Sequence, residues 1–390
     1  MPFAACPFCF TKVDTSRLAF QCTNVTGRCE KDVDEVRASI TGNNDPSYPT
    51  FGGASYMVKE RDPQCPKCGG PARRRACSIC HTAVPADFVD SDSPMIGIIG
   101  SKGAGKTVYT TVLAKRLRES VGRRFGASVR IATDSPDRFD NLQEYIADRE
   151  QSMYERGQLP MATQQAQAER RRPVALLWQG FKRNLLGRQT PYSTILSFVD
   201  TAGEDLNSLE DAFTLRYLSV ADALIVALDP FALPGARDTV NLPAAAIQQL
   251  NPLDVLNRVT EILRTELKVK RGKKIKVPLA IAFTKMDAFF PSLERGNPIL
   301  STPKAGASYD EQDGQQVHEH MRALLHKWGA DDIDMLLEHN WASFRFFAVS
   351  ALGAEPDYEV ARVAAGGVRP HRVEDPLLWL LSKEGAVMAA

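Results

Sequence analysis

The chain has 390 residues, with 48 lysines and arginines against 47 aspartates and glutamates, a net charge of +1. That balance argues against a global nucleic-acid or membrane-binding surface, and no apolar run approaches the roughly 20 residues of a membrane-spanning helix. The opening segment MPFAACPFCF has no charged stretch followed by an apolar one, so it does not read as a secretion signal; the expectation is a cytoplasmic protein of two or more domains.

All eight cysteines fall between Cys6 and Cys80, which sets residues 1–85 apart as a chemically distinct head. Cys65-x-x-Cys68 and Cys77-x-x-Cys80 are two tight turns, each aiming two thiolates at one point, and together they offer the four ligands of a tetrahedral zinc ion. Gly69 and Gly70 permit the turn after the first of them. Cys6 and Cys9 make another such turn, while Cys22 and Cys29 are more widely spaced. The favoured reading is two zinc sites, one from Cys65, Cys68, Cys77 and Cys80 and one from Cys6, Cys9, Cys22 and Cys29. The alternative pairs Cys6 and Cys9 across the long gap with one of the later turns. His81 reads as a neighbour of the ligands. So small a head builds little core, so bound metal would stabilise its fold. Arg73, Arg74 and Arg75 could meet phosphate or an acidic partner, but aromatic residues for base stacking are sparse there and nucleic-acid binding is not expected. Residues 86–94 read as a linker.

The body then reads in chain order. Met95–Ile99 is an apolar run with the look of a buried parallel strand. It enters Gly100-Ser-Lys-Gly-Ala-Gly-Lys-Thr107, and a helix is predicted over 108–117. In this strand, loop and helix setting, the backbone amides of Gly103, Ala104, Gly105, Lys106 and Thr107 can cradle a phosphate, with Val108 opening the helix. Lys106 can bridge phosphate oxygens and the Thr107 hydroxyl can ligate Mg²⁺. Lys102 is expected over the phosphates or in solvent. A helix is predicted over 137–156, then a polar stretch containing Thr163, then Arg170, Arg171 and Arg172 as a solvated basic turn. Two strands, 174–182 and 194–199, are joined by a turn around 184–192 and deliver Asp200-Thr-Ala-Gly203. Further strands are predicted over 221–229, over 277–283 leading into Thr284-Lys-Met-Asp287, and over 344–349 leading into Ser350-Ala-Leu352. An aspartate such as Asp287 can accept hydrogen bonds from the N1–H and 2-amino groups of guanine, which adenine lacks. The basic run 268–276 reads as solvent-facing, and 369–381 predicts a short helix whose Leu377, Leu378, Leu380 and Leu381 pack on the body.

These strings, in this order, resemble the TRAFAC (Ras-like, translation-factor-related) class of P-loop GTPases over about Met95–Gly353. The resemblance implies an α/β fold with a mostly parallel sheet flanked by helices, here preceded by a small zinc-ribbon region. It implies a GTPase domain over 95–355 and a tail, 356–390, packed on it. It implies binding of GTP or GDP with Mg²⁺ and hydrolysis of GTP as a conformational switch. Gly100, Gly103 to Val108, Thr284, Lys285, Asp287, Ser350, Ala351 and Leu352 would hold the nucleotide. Thr107, Thr163 and Asp200 would hold Mg²⁺, and Lys106, Thr163, Gly203 and Glu204 would serve hydrolysis. Thr163 is preferred to Thr190 and Thr194 as the threonine that closes on the metal. Thr284 stands where asparagine is usual, and Glu204 where Ras-like members carry the water-positioning glutamine, so hydrolysis is expected to be slow or partner-dependent. The cysteine head, the body and the VEDPLLWLL tail together resemble the double-GTPase family of bacterial conflict systems, implying protein partners such as a second GTPase or an activating protein. The competing expectation is a GTP-binding adaptor with little turnover that docks through its zinc-ribbon head.

Overall fold

The computed structural model describes residues 3–52, 63–88, 95–101, 103–132, 141–160, 174–183, 188–198, 212–240, 251–304 and 306–390. In the head, β1 (Phe3–Ala5) and β2 (Lys12–Asp14) form a hairpin. Strand β3 (Ala19–Gln21) is the centre of a three-stranded antiparallel sheet, between β4 (Thr50–Phe51) and β5 (Arg74–Ala76). Helix α1 (Glu35–Thr41) starts where the Asp34 side chain accepts the Arg37 N–H and stops at Gly42 in a left-handed conformation.

The body holds a seven-stranded sheet. Its elements are β6 (Ile96–Gly100), α2 (Lys106–Arg116), β7 (Ser128–Ile131), α3 (Asn141–Tyr154), β8 (Val174–Arg183), β9 (Gln189–Phe198), α4 (Ala212–Val220), β10 (Ala223–Leu228), α5 (Pro252–Glu266), β11 (Leu279–Phe283), α6 (Glu311–Lys327), α7 (Asp331–Asn340), β12 (Phe344–Ala348) and α8 (Asp375–Lys383). The strand order is β12-β11-β10-β6-β9-β8-β7. The strands from β12 to β9 run parallel, and β8 and β7 are antiparallel to their neighbours. This is the α/β class expected from the sequence, a mostly parallel sheet flanked by helices.

Three features differ from the expected elements. Helix α2 does not stop at 117 but continues through a π-helical turn, Leu117–Val121. Strand β9 begins at Gln189, because the whole segment Gln189–Phe198 pairs with β8 from Arg183 back to Val174. Strand β7 was not expected. It is a four-residue edge strand, alternating exposed and half-buried, and its pairing with Leu176–Gln179 of β8 fixes it.

Alternation along the strands sorts the core into two layers. Leu279, Ile281 and Phe283 of β11 face α5, α6 and α7, packing in one cluster with Val259, Leu263, Met321 and Leu337. Ala280 and Ala282 face the other way, toward α2 and α8. The small side chains there let α8 lie close to the sheet, and Leu377, Leu378, Trp379, Leu380 and Leu381 are all buried. The carboxyl-terminal leucine run is thus a core helix. No helix among the described residues is long and apolar enough to cross a membrane.

The start of α8 is fixed by Arg372, whose side chain is fully enclosed. It donates to Asp313 at 2.8 and 2.9 Å, to Asp375 at 2.7 Å, to Pro298 O at 3.0 Å and to Ser301 Oγ at 2.6 Å. Burial pushes the Asp375 carboxyl up to about 6, while the Arg372 guanidinium beside it acts in the opposite direction. Removing the cation would leave the buried Asp375 carboxylate, and the half-buried one of Asp313, without their partner. Arg372→Ala is expected to lower unfolding stability by about 3 kcal/mol in urea titrations. Arg156→Ala, which breaks the solvent-exposed pair with Asp148, is expected to cost under about 1 kcal/mol.

Candidate functional site

Four parallel strands end together. Gly100 of β6 lies opposite Ala227 of β10, Leu228 of β10 opposite Phe283 of β11, and Phe283 opposite Ala348 of β12. The loops after β6, β11 and β12 therefore emerge at one edge, the place where open α/β sheets build ligand sites. Close contact begins at Gly100, where a Cβ would come within 2.3 Å of Ala227 O. Gly103 and Gly105 follow with φ of 75° and 73°, left-handed values that side chains rarely adopt. They bend the loop back into the N-terminus of α2, a cradle of a shape and polarity suited to phosphate. The Lys106 ammonium lies against this loop, donating to Gly100 O at 2.8 Å and Ser101 O at 3.0 Å. Thr107 occupies the first turn of α2.

Thr284 braces the loop. Its hydroxyl donates to Ala104 O at 2.8 Å and lies 3.1 Å from Leu228 O. A short β-branched hydroxyl thus serves as a tie between two strand ends. Lys285 has φ of 56°, and its ammonium meets buried Asp229 at 2.6 Å and the Phe231 ring at 5.2 Å. Asp229 also accepts the Phe231 N–H at 2.9 Å. With the ammonium held there, the Lys285 stem passes near Gly105. Asp287 accepts from the Ser350 hydroxyl at 2.5 Å, and Ser350 Oγ in turn accepts the Gly353 N–H at 2.7 Å. Burial pushes the Asp287 carboxyl above its ordinary value, and the Ser350 bond partly offsets this. Ser350 therefore acts through its side chain. Its own N–H is taken by His371 O at 3.0 Å.

Between these groups lies an open cleft. Gly105, Val108, Thr284, Lys285, Asp287, Ala351 and Leu352 line it, so residues far apart in the chain meet on one surface. The remaining walls come from Tyr109, Leu159, Pro356 and Tyr358, which no motif marked. Lys102, Thr163, Arg170, Arg171, Arg172, Asp200, Gly203 and Glu204 lie outside the described residues.

The strand carrying the glycine-rich loop is also tied to its neighbour through a side chain. The Tyr217 hydroxyl on α4 accepts the Ile98 N–H at 2.6 Å and donates to Ser197 O at 3.1 Å, bridging β6 and β9. Gly97 leaves room for it, since a Cβ there would come within 3.0 Å of the ring.

The head holds two cysteine centres, but not with the expected partners. Cys6 and Cys9 converge with Cys77 and Cys80, and Cys22 and Cys29 with Cys65 and Cys68. The favoured assignment, which joined Cys65 and Cys68 to Cys77 and Cys80, is corrected; Cys6 and Cys9 do pair across the long gap. The reason is strand geometry. The eight residues between Cys68 and Cys77 include β5, which is extended at about 3.3 Å per residue and carries the two turns to opposite ends. Strand β3 runs antiparallel alongside, Ala19 opposite Ala76 and Gln21 opposite Arg74, so Cys22 is delivered to the Cys65–Cys68 end. Paired sulfurs are 3.7 to 3.9 Å apart. A tetrahedron with Zn–S bonds of about 2.3 Å has edges of about 3.8 Å, so both sets suit zinc. Phe10, Gly69 and His81, each just after the second cysteine of a turn, all have left-handed φ. His81 is turned away to Asp34, 3.0 Å from Nδ1. Arg74 donates to Gln21 and Arg75 lies 4.2 Å from the Phe20 ring centre, so both are committed to the head sheet.

No known protein-family profile matches the chain. A Mycolicibacterium smegmatis protein named as an ESX-1 scaffolding and assembly protein, SaeC, is 27% identical over 98% of this chain and 99% of its own length. Among solved structures, the Arl6 BBS3 small GTPase of Trypanosoma brucei is 13% identical, over 75% of this chain and 98% of that one, at a TM-score of 0.28. The signal recognition particle receptor SRb-GTP/SRX complex of Chaetomium thermophilum is 15% identical, over 69% and 95%, at 0.30. The strand order and loop geometry describe the fold more closely than either likeness does.

The crossed pairing has a direct test in metal stoichiometry. Wild type is expected to carry two zinc ions, Cys6→Ser/Cys77→Ser one, and Cys6→Ser/Cys22→Ser close to none. Pairing along the sequence would reverse the last two values in metal analysis of the purified chains.

Proposed function

We propose that this chain is a Mg²⁺-dependent GTP-binding protein whose nucleotide state controls a protein assembly. The observation that carries this reading is the Asp287 carboxylate, oriented by Ser350 and Gly353 at a cleft that opens on the phosphate loop. A half-buried carboxylate with one fixed partner suits the two adjacent donors of guanine, and adenine would leave it unsatisfied. The amides of Ala351 and Leu352 would meet the base carbonyl, and the Lys285 stem would lie along the base. Gly100 and Gly103 to Val108 would surround the phosphates, with Lys106 leaving the carbonyls of Gly100 and Ser101 for phosphate oxygens. Thr107, Thr163 and Asp200 would hold Mg²⁺, which would offset phosphate charge. Hydrolysis to GDP would use Lys106, Thr163, the Gly203 amide and Glu204, with positioning and electrostatics as the source of rate.

The near full-length likeness to a protein named for scaffolding and assembly supports a role in building a multi-protein machine rather than in a conflict system. The same likeness, with Glu204 in place of glutamine, favours a second reading in which nucleotide is bound with little turnover and the cysteine head docks partners. Phosphate release measured with and without candidate partners separates the two.

Equilibrium binding with Mg²⁺ tests the guanine assignment. GTP is expected to bind at least about 100-fold more tightly than ATP, and Asp287→Ala to lose about 10- to 100-fold in GTP affinity, the size of a charged hydrogen bond. Equal affinity of the wild type for both nucleotides would refute it. Because the carboxylate form is the one that accepts, GTP affinity is expected to fall on acidification, starting above the range of an ordinary aspartate. Ser350→Ala removes a bond that favours the charged form, so the fall should move to still higher pH in a binding titration.

A further inference from the structure

One wall of the cleft comes from a part of the chain that carries no nucleotide motif. Asp357 and Arg362 exchange both backbone hydrogen bonds, at 2.9 and 3.0 Å, and close a tight hairpin with Ala361 at φ of 54°. The Asp357 side chain stiffens the turn by accepting the N–H groups of Glu359 at 3.0 Å and Val360 at 3.2 Å. Tyr358 is the first residue inside that turn. It lies on the cleft and packs against the hydrophobic core beneath.

The hairpin is in turn clasped to the segment that leaves α3. Leu159 N–H donates to Ala361 O at 2.8 Å, Val363 N–H donates to Gly157 O at 2.9 Å, and Gln158 lies opposite Arg362. Leu159, like Tyr358 and Pro356, lines the cleft. Two distant segments therefore form one apolar and aromatic wall beside Lys285 and Asp287. Burial, with Asp287 and Glu355 nearby, pushes the Tyr358 hydroxyl well up, so the ring stays uncharged at any working pH. A neutral, flat, preorganised ring suits the face of a purine.

We propose that the Asp357–Arg362 hairpin is the base-stacking wall of the nucleotide cleft, with Tyr358 and Leu159 against the purine face. The clasp then links base occupancy to the Gly157–Leu159 segment. This rests on the guanine-nucleotide reading above. Edge recognition by Asp287 selects the base; the hairpin supplies affinity for its face.

The test measures binding of Mg–GTP and of Mg–tripolyphosphate, which has no base, to the wild type, Tyr358→Ala and Tyr358→Phe. Tyr358→Ala is expected to lose roughly 10- to 100-fold in GTP affinity, in the range of a lost base stack, with tripolyphosphate affinity unchanged. Tyr358→Phe should keep wild-type affinity, since the ring and not the hydroxyl is used. In the wild type, hydrogen exchange at the Leu159 and Val363 amides should slow with GTP and not with tripolyphosphate. Unchanged GTP affinity in Tyr358→Ala, an equal loss for both ligands, or exchange at both amides indifferent to GTP would overturn the hairpin's role while leaving the nucleotide reading standing. A wild type that binds tripolyphosphate but not GTP would overturn both.

Discussion

The register of four parallel strands is the constraint on which this molecule depends. Gly100, Ala227, Phe283 and Ala348 lie at matching heights in the sheet, so the loops that follow β6, β11 and β12 have one edge to occupy. A shift of register between β6 and β10 would move Gly100 off Ala227 O, where only a glycine fits. It would also separate Ala104 from Thr284, whose hydroxyl joins the glycine-rich loop to the loop after β11. Everything proposed about a nucleotide rests on that convergence.

The head belongs to the same construction. Its first cysteine centre packs on the face of the β8–β9 hairpin, where Ala175, Leu177 and Ile195 share a cluster with Cys6, Cys9, Cys77, Cys80, Phe8 and Phe88. Ser197 Oγ donates to Pro7 O at 3.1 Å. Phe10, at a left-handed φ after the cysteine turn, packs with its ring tilted by 56° and centred 4.7 Å from that of Tyr217, the residue that bridges β6 and β9. The layer that carries this cysteine centre thus covers one side of the hairpin, while Leu176, Trp178 and Leu196 face the opposite layer. Local folding of the head and the alignment of strand β6 are physically continuous.

Some residues were legible from type and spacing, because their roles are local. Gly100, Gly103 and Gly105 are demanded by a backbone that turns tightly at the end of a strand, and the apolar runs of β10, β11 and β12 announce buried strands. Strand β7 was not legible, since its half-polar sequence becomes a strand only by pairing with β8. Thr284 was marked as a nucleotide contact, yet its hydroxyl is spent on the loop backbone; the sequence shows the hydroxyl but not the carbonyl it meets. Ser350 too was marked as a nucleotide contact, and its side chain turns instead to Asp287. The signal for Tyr358 was weak: a single aromatic within residues 354–370, beside an aspartate able to cap a turn.

The sequence by itself determined the chemistry available, namely eight thiols in the head, a glycine-rich loop ending in Lys106 and Thr107, and an acid at Asp287. It did so because those functions need particular residue types within a few positions of one another. Tertiary structure decided the partners. Strand pairing of β3 with β5, not spacing along the chain, sends Cys6 and Cys9 to Cys77 and Cys80. A clasp between residues 157–159 and 361–363 brings Tyr358 to the cleft. Such choices are made by contacts between segments some 50 to 200 positions apart, and no local pattern encodes them.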